Sequence, residues 1–251
     1  MTLELLICTL DAGIERIEGS LLPCRNDVCY LISWQYTGEQ PSVPLSLQER
    51  EDVRVVMLQG RGLSRNRNHA LKHAQGDILK ICDDDEKWTM EDIDTILQTY
   101  RQHPEYDIVH FQMEGVGKKY PNPSVASCEM TMRRERVEEL RFDERFGLGS
   151  PFLLAGEEDV FLCDARRRGL NIHYEPKVIC YTPGPTTGSR IEDPRMQRSK
   201  GAVFYYTGGL TYALCKSARE SLGWMARKHM NPLALFCNMF WGINYIRKWH
   251  P

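Results

Sequence analysis

The sequence predicts an α/β domain with a mainly parallel, Rossmann-like sheet flanked by helices, followed by a helical C-terminal extension. Three observations carry that expectation. Short apolar runs alternate with segments of helical periodicity from the first residues onward. The runs are apolar at successive positions, as in strands covered on both faces. From Ala202 the composition shifts to aromatics, Met and interleaved basic residues, with no strand-like run.

In chain order, Leu3 to Thr9 reads as a first strand, and Ile14, Ile17, Leu21 and Leu22 follow at helical spacing. Val28 to Ile32 and Arg54 to Leu58 read as the next two strands. Leu63, Ala70, Leu71 and Ala74 form a helical stripe ending before Gly76, which suits a helix C-terminal stop. The strand DILKIC then runs directly into Asp83, Asp84, Asp85 and Glu86. Thr89 and Asp92 form a start like a capping box for a helix carrying Met90, Ile93, Ile96, Leu97 and Tyr100. Tyr106 to Met113 and Ser127 to Met132 read as strands around the Pro/Gly-rich loop EGVGKKYPNPS. GEEDVFLCDARRRG is a polar turn entering a helix that Gly169 closes, and NIHYEPKVICY gives one or two strands interrupted at Pro176. Residues 183–200, rich in Pro, Gly, Thr and charge, predict a mobile loop over a site. No internal repeat is present.

Composition narrows the function class. A chain of 251 residues with 42% hydrophobic and 26% charged residues can bury one sizeable core, with two small domains as the alternative. A formal net charge of −2 supplies no positive field, so nucleic acid is not expected as a partner. Nine cysteines, an odd count without a CxxC pair, fit reduced thiols better than a disulfide framework or zinc ribbon. The opening MTLELLICTLDAG lacks the basic region, long apolar stretch and cleavage site of a signal peptide, so a cytoplasmic location is expected. Near the other end, PLALFCNMFWGINYI is too short and interrupted to span a bilayer, which takes roughly 20 apolar residues. Two readings fit that region. It lies on a membrane surface with Lys216, Arg219, Arg227, Lys228, Arg247 and Lys248 toward the headgroups, or it packs on the preceding domain with those residues in water.

The acidic tract is the main chemical signal. It follows a strand and precedes a helix, the edge at which open α/β sheets bind ligands. Three consecutive aspartates repel one another, and a divalent cation removes that cost. Carboxylate oxygens suit Mg²⁺ or Mn²⁺, which complete their shells with substrate phosphates and water. A solvated acidic turn capping the next helix is the structural alternative.

Two segments, GLSRNRNHALKHAQGDILKICDDDE and FDERFGLGSPFLLAGEEDVFLCDARRRGLNIHYEPKV, together resemble the nucleotide-sugar-dependent glycosyltransferases of family 2, which have a GT-A fold. The ordered positions are Gly62, Arg67 and Asn68, then Gly76 and Asp77, then Asp83 to Asp85, and later Glu158 and Asp159; the likeness covers roughly residues 3 to 181. The resemblance implies a metal-dependent, inverting transfer of a sugar from a nucleotide-diphosphate sugar to an acceptor hydroxyl. In it Asp85 binds Mn²⁺ or Mg²⁺, Asp83 orients the sugar or ribose and shares the metal, and Asp84 sits between them. Arg67 is the second cation for the diphosphate, with Arg65 as its rival, and Thr9, Gln35, Asn68 and Asp84 complete the donor-binding set. Departure of a nucleoside diphosphate builds charge that a fixed cation stabilises. The acceptor hydroxyl needs a base, for which Asp159 comes first, then Glu158, then Glu157.

The implied domains are residues 1–201 as the catalytic GT-A domain and 202–251 as the extension. The implied setting is bacterial surface polysaccharide, capsule or lipopolysaccharide. A glycan or lipid-linked acceptor would be met at the inner face of the membrane, with the C-terminal region touching its surface. Two positions depart from the family pattern. Ser33 and Gln35 stand where an acidic residue often reads the base and ribose, and Thr182 stands near the place of a metal-binding histidine. His173 reads as an ordinary strand histidine. A catalytically silent GT-A module that scaffolds a glycan-assembly complex is the rival reading; the presence of Asp83, Asp85 and Asp159 argues against it. A phosphotransferase with Asp-x-Asp on its first strand is not expected, because strand one ends in CTLDAG.

Overall fold

The computed structural model describes residues 1–114, 125–182 and 190–248. Apolar side chains at every position of Leu3–Leu10 except Glu4 and Thr9 make β1 a central strand, buried on both faces. It is followed by β2 (Val28–Tyr36), the single turn α1 (Leu45–Gln48), β3 (Val53–Gln59), α2 (Leu63–His73) and β4 (Ile78–Asp83). Next come α3 (Met90–Gln102), β5 (Ile108–Glu114), β6 (Met130–Arg133), the single turn α4 (Arg134–Val137), α5 (Glu157–Arg167) and β7 (Ile172–Tyr181). The last elements are α6 (Pro194–Lys228), interrupted where Gly209 leaves the helical region (φ 76°, ψ −176°), and α7 (Pro232–Lys248).

The seven strands form one sheet in the order β3-β2-β1-β4-β6-β5-β7. All neighbours are parallel except β6, which runs antiparallel to both β4 and β5. The expected mainly parallel α/β sheet is therefore present, with one inverted strand that local patterning does not reveal. Thr89 and Asp92 close the expected capping box at the start of α3: Asp92 N donates to Thr89 Oγ1 and Thr89 N donates to Asp92 Oδ2.

Several local expectations are corrected. The stretch after β1 is not an α-helix but two 3-10 turns, Asp11–Arg16 and Glu18–Ser20. The i,i+3 spacing of Ile14 and Ile17 fits three residues per turn as well as 3.6. A Cβ on Gly13 would run into Thr9 Oγ1 and Asp84 Oδ2, so glycine lets this turn lie against the acidic tract. Gly76 is not the stop of α2, because the helix ends at His73 and Ala74 is already extended (φ −63°, ψ 142°). Gly76 instead packs on β1, where its N–H donates to Glu4 Oε2 at 2.8 Å and a Cβ would lie 2.6 Å from Glu4 Cβ. Ser127–Glu129 is a 3-10 turn that precedes β6. Asn171 to Tyr181 holds one strand; its pairing with β5 slips between Tyr174 and Val178, around Pro176, which an edge strand tolerates. Of the loop expected over 183–200, residues 183–189 lie outside the described residues. Pro194 begins α6, with Asp193 Oδ1 accepting from Arg195 N at 2.8 Å. Of the loop expected before residue 125, positions 115–124 also lie outside them.

The described residues divide into two compact units, the first within Met1–Phe142 and Asp164–Gly184, the second within Asp143–Cys163 and Pro185–Pro251. The boundary expected at 201/202 falls inside α6. The first unit holds the whole sheet and a core that includes Leu5, Ile7, Ile32, Ile78, Ile96, Phe111 and Ile179. In the second unit Ala202 and Ile246 pack with Phe146, Leu153 and Val160. One face of the C-terminal helices is thus packed within the second unit.

Candidate active site

The acidic tract is held at both ends. Asp83 closes β4 beside Cys8 of β1. Its N–H donates to Glu86 Oε2 at 3.2 Å, and Glu86 N donates back to Asp83 O at 3.3 Å, which folds the aspartates into a tight turn. Glu86 is fully buried, where Lys80 Nζ donates to Oε1; burial pushes its carboxyl up to about 7 against the pull of Lys80. Lys80 Nζ also lies 5.6 Å from the centroid of the Trp88 ring. Past the turn, Lys87 and Tyr181 exchange two backbone hydrogen bonds of 2.8 Å. Lys80 and Glu86 were not singled out from the sequence, although a lysine inside the run ILKIC is itself a signal, since a fully buried lysine demands a partner.

The three aspartates have different surroundings. Asp84 accepts from Thr9 Oγ1 at 2.5 Å and from Arg16 Nη2 at 2.7 Å. Asp83 accepts from Arg67 Nη2 at 3.3 Å. Burial, followed by the charges of Asp83 and Asp84, holds the Asp85 carboxyl above the usual carboxylate range.

Arg67 is 1% exposed on α2. Its Nη2 also donates to Ser127 Oγ at 2.5 Å, and its guanidinium lies 5.5 Å from the Phe142 ring centroid. Arg65 is exposed, so burial and contact with the tract separate the two arginines that the motif left in competition. The Asn68 amide is committed at both ends to Phe142: Nδ2 donates to its carbonyl at 2.9 Å and Oδ1 accepts from its N–H at 2.7 Å. Asn68 therefore supports the ring beneath Arg67.

A second cluster lies at the ends of β1 and β2. Ser33 Oγ donates to Asn66 Oδ1 at 2.6 Å and lies 2.9 Å from His69 Nδ1, while Asn66 Nδ2 donates to Thr9 O at 3.0 Å. Burial, then His73, holds the His69 imidazole below its usual range. Gln35, two residues beyond Ser33 and so on the same face of β2, is 2% exposed. Its Nε2 has no hydrogen-bond partner among the described residues, and buried amides are normally paired. Asp11, at φ 49°, accepts from Thr37 N at 2.7 Å and, through its carbonyl, from Trp34 Nε1 at 2.8 Å.

Glu157, Glu158 and Asp159 form the first turn of α5 and lie in the second unit. Gly156 precedes them at φ 99°, where a Cβ would meet Val203 and Phe146. Acidic residues in a first turn and Arg166 and Arg167 in the last complement the helix dipole. His173 stacks on Tyr106 with ring centroids 4.1 Å apart, as an ordinary strand histidine can.

Among the described residues no group of three or more His, Cys, Asp or Glu side chains forms a metal cage. Asp83 and Asp85 still fit a hard divalent ion of the Mg²⁺ or Mn²⁺ kind, which takes one or two carboxylates and shares the rest of its shell with phosphate and water.

The family model described as glycosyl transferase family 2 matches residues 44–161, a stretch that contains Arg67, the aspartate tract and Glu157 to Asp159. The search of curated proteins gives no match. Among solved structures, S. aureus TarS 1-349 is similar at 14% identity, covering 100% of this chain and 92% of that one, with a TM-score of 0.58. The mannosyltransferase PcManGT from Pyrobaculum calidifontis, in complex with GDP-Man and Mn²⁺, is similar at 15% identity, with 99% and 76% covered and a TM-score of 0.55. Glucosyl-3-phosphoglycerate synthase from Mycobacterium tuberculosis, in complex with Mg²⁺ and UDP, is similar at 16% identity, with 82% and 79% covered and a TM-score of 0.55. At these identities the likeness is one of fold. Residues 44–161 thus carry a likeness to glycosyl transferase family 2, and the chain as a whole has the GT-A fold of these glycosyltransferase structures.

Proposed function

We propose that the chain is an inverting glycosyltransferase that moves a sugar from a nucleotide-diphosphate sugar onto an acceptor hydroxyl. The observation that carries this reading is the anchored aspartate turn at the C-terminal end of β4, with buried Arg67 bonded to Asp83. The nucleotide-sugar and metal complexes of the fold relatives, UDP-GlcNAc on TarS and GDP-Man with Mn²⁺ on PcManGT, support it.

Asp85 with Asp83 would hold Mn²⁺ or Mg²⁺, which when bound offsets the charge that builds on a departing nucleoside diphosphate. Arg67 offers a second positive charge, and its fixed position means that little reorganisation accompanies charge development. Thr9 and Arg16 restrain Asp84, so the middle carboxylate shapes the turn and keeps its neighbours in place. Gln35 offers its buried amide N–H to the nucleoside end of the donor. Asn68 acts through Phe142 as a support for Arg67.

Asp159 takes the proton of the acceptor hydroxyl during attack, with Glu158 as the second choice. Attack opposite the leaving group inverts the anomeric centre. In sequence, these residues, Thr9 to Asp159, fall inside the 1–201 region that we read as catalytic. We place the reaction in the cytoplasm, in the building of a bacterial surface polysaccharide on a glycan or lipid-linked acceptor.

A thermal-shift panel of nucleotide sugars with and without Mn²⁺ tests the reading. The right donor at about a hundredfold excess over its Kd should raise Tm by roughly 5–10 °C in a metal-dependent way. Asp85→Asn should abolish the metal dependence. Asp159→Asn should keep the shift and lose about a hundredfold or more in turnover. Unchanged turnover in Asp85→Asn overturns the assignment.

A further inference from the structure

The second unit ends in α6, whose run breaks at Gly209 (φ 76°, ψ −176°), and α7, which crosses the part of α6 before that break. His229 at φ 53° closes α6, and Asn231 Oδ1 accepts from Leu233 N at 3.0 Å to open α7. The helices cross at glycines, since a Cβ on Gly242 would run into the Arg198 carbonyl and one on Gly201 into that of Met239. That close crossing buries Leu235, Met239, Gly242, Ile243 and Ile246 along one stripe of α7.

The opposite stripe is apolar too. Leu233, Phe240 and Trp241 are 70%, 39% and 61% exposed, and Cys237 shares their side of the helix. A helix apolar on both sides has an apolar partner on each or borders a membrane. Among the described residues no helix is long and apolar enough to cross one.

Charge points to the occupant. Residues 194–248 carry nine Lys or Arg and one acid, Glu220, a net +8 that leaves −10 for the remainder of a chain at −2. Glu220 is already within 3.9 Å of Lys216. Arg227, Lys228, Arg247 and Lys248 are all exposed and flank α7 at its two ends. Apolar and indole side chains between clusters of cations are the arrangement by which a helix lies in the headgroup region of an anionic bilayer.

We propose that the outer face of α7, with the basic end of α6, docks in-plane on an anionic phospholipid surface. Leu233, Phe240 and Trp241 enter the acyl boundary, and the flanking cations meet lipid phosphates. This goes beyond the transfer reading and does not depend on it, because the test needs no activity.

Flotation of the full chain with vesicles decides the matter, comparing phosphatidylcholine alone with phosphatidylcholine plus phosphatidylglycerol. The chain should float only with the anionic vesicles and be released by salt. Arg247→Glu with Lys248→Glu should lower the partition constant about tenfold or more. A variant carrying Leu233→Ser, Phe240→Ser and Trp241→Ser, shown by its unchanged thermal transition to be folded, should not float. The proposal is overturned if the wild-type chain floats with neither vesicle or equally with both. It is also overturned if light scattering finds a dimer that the triple variant breaks, since the stripe then faces a second copy.

Discussion

The acidic tract and the outer face of α7 use charge in opposite ways. Around the tract the cations are matched inside the first unit: Arg67 with Asp83, Arg16 with Asp84, Lys80 with Glu86, and Arg54 with the buried Glu4. On α7 the cations stand in water, and the helix has no acidic residue. A matched charge in a poorly solvated setting fixes atoms in place, because moving either partner exposes the other to a large desolvation penalty. Unmatched charge at the surface orders nothing nearby; it makes a field that reaches about a Debye length, roughly 8–10 Å at physiological salt. On the two proposals above, the first region positions a ligand and the second attracts a surface.

That contrast can be broken at its strongest point by Lys80→Met. Removing one member of a buried pair should lower unfolding free energy by about 3–5 kcal/mol, measured by urea denaturation. The double substitution Lys80→Met with Glu86→Met should recover most of it. If the single variant is as stable as wild type, the pair does not anchor the tract.

The second unit is tested by Gly242→Val. A side chain driven into the Arg198 carbonyl should cost about 1–3 kcal/mol and loosen the crossing of α6 and α7 without touching the sheet. Hydrogen exchange should rise on α6 and α7 and stay unchanged on β1 and β4. A rise in the sheet as well would mean that the two regions do not respond separately.

The smallest effect is expected at Asp52. Arg50 donates to it through Nε at 2.9 Å and Nη2 at 2.6 Å and holds its carboxyl below the usual 3.8. A lowered folded pKa means that the contribution is complete above the unfolded value and fades as pH falls through the folded one. Asp52→Asn should therefore cost up to about 1 kcal/mol near pH 7, with the two proteins converging at the acid end. A gap that widens on acidification contradicts the sign.

Much of the scaffold was legible in the sequence because strands and helix starts depend on neighbours within a few positions. Runs such as Leu3 to Thr9 carry their own burial, and the capping box of Thr89 and Asp92 spans three residues. The acidic tract was legible for the same reason, being contiguous. Tertiary structure decided which of those groups meet. Thr9 meets Asp84 across 75 positions and Arg67 meets Asp83 across 16, so no local pattern separates Arg67 from Arg65 or shows Asn68 turned to Phe142. Gly13 became a 3-10 turn and Gly76 a contact with β1 because a distant side chain occupies the space of a Cβ. The placing of β6 antiparallel between β4 and β5 is likewise a pairing of strands far apart in the chain. Local sequence determined the pieces, through propensity and periodicity; only the closing of long loops brought together the charges around the acidic tract.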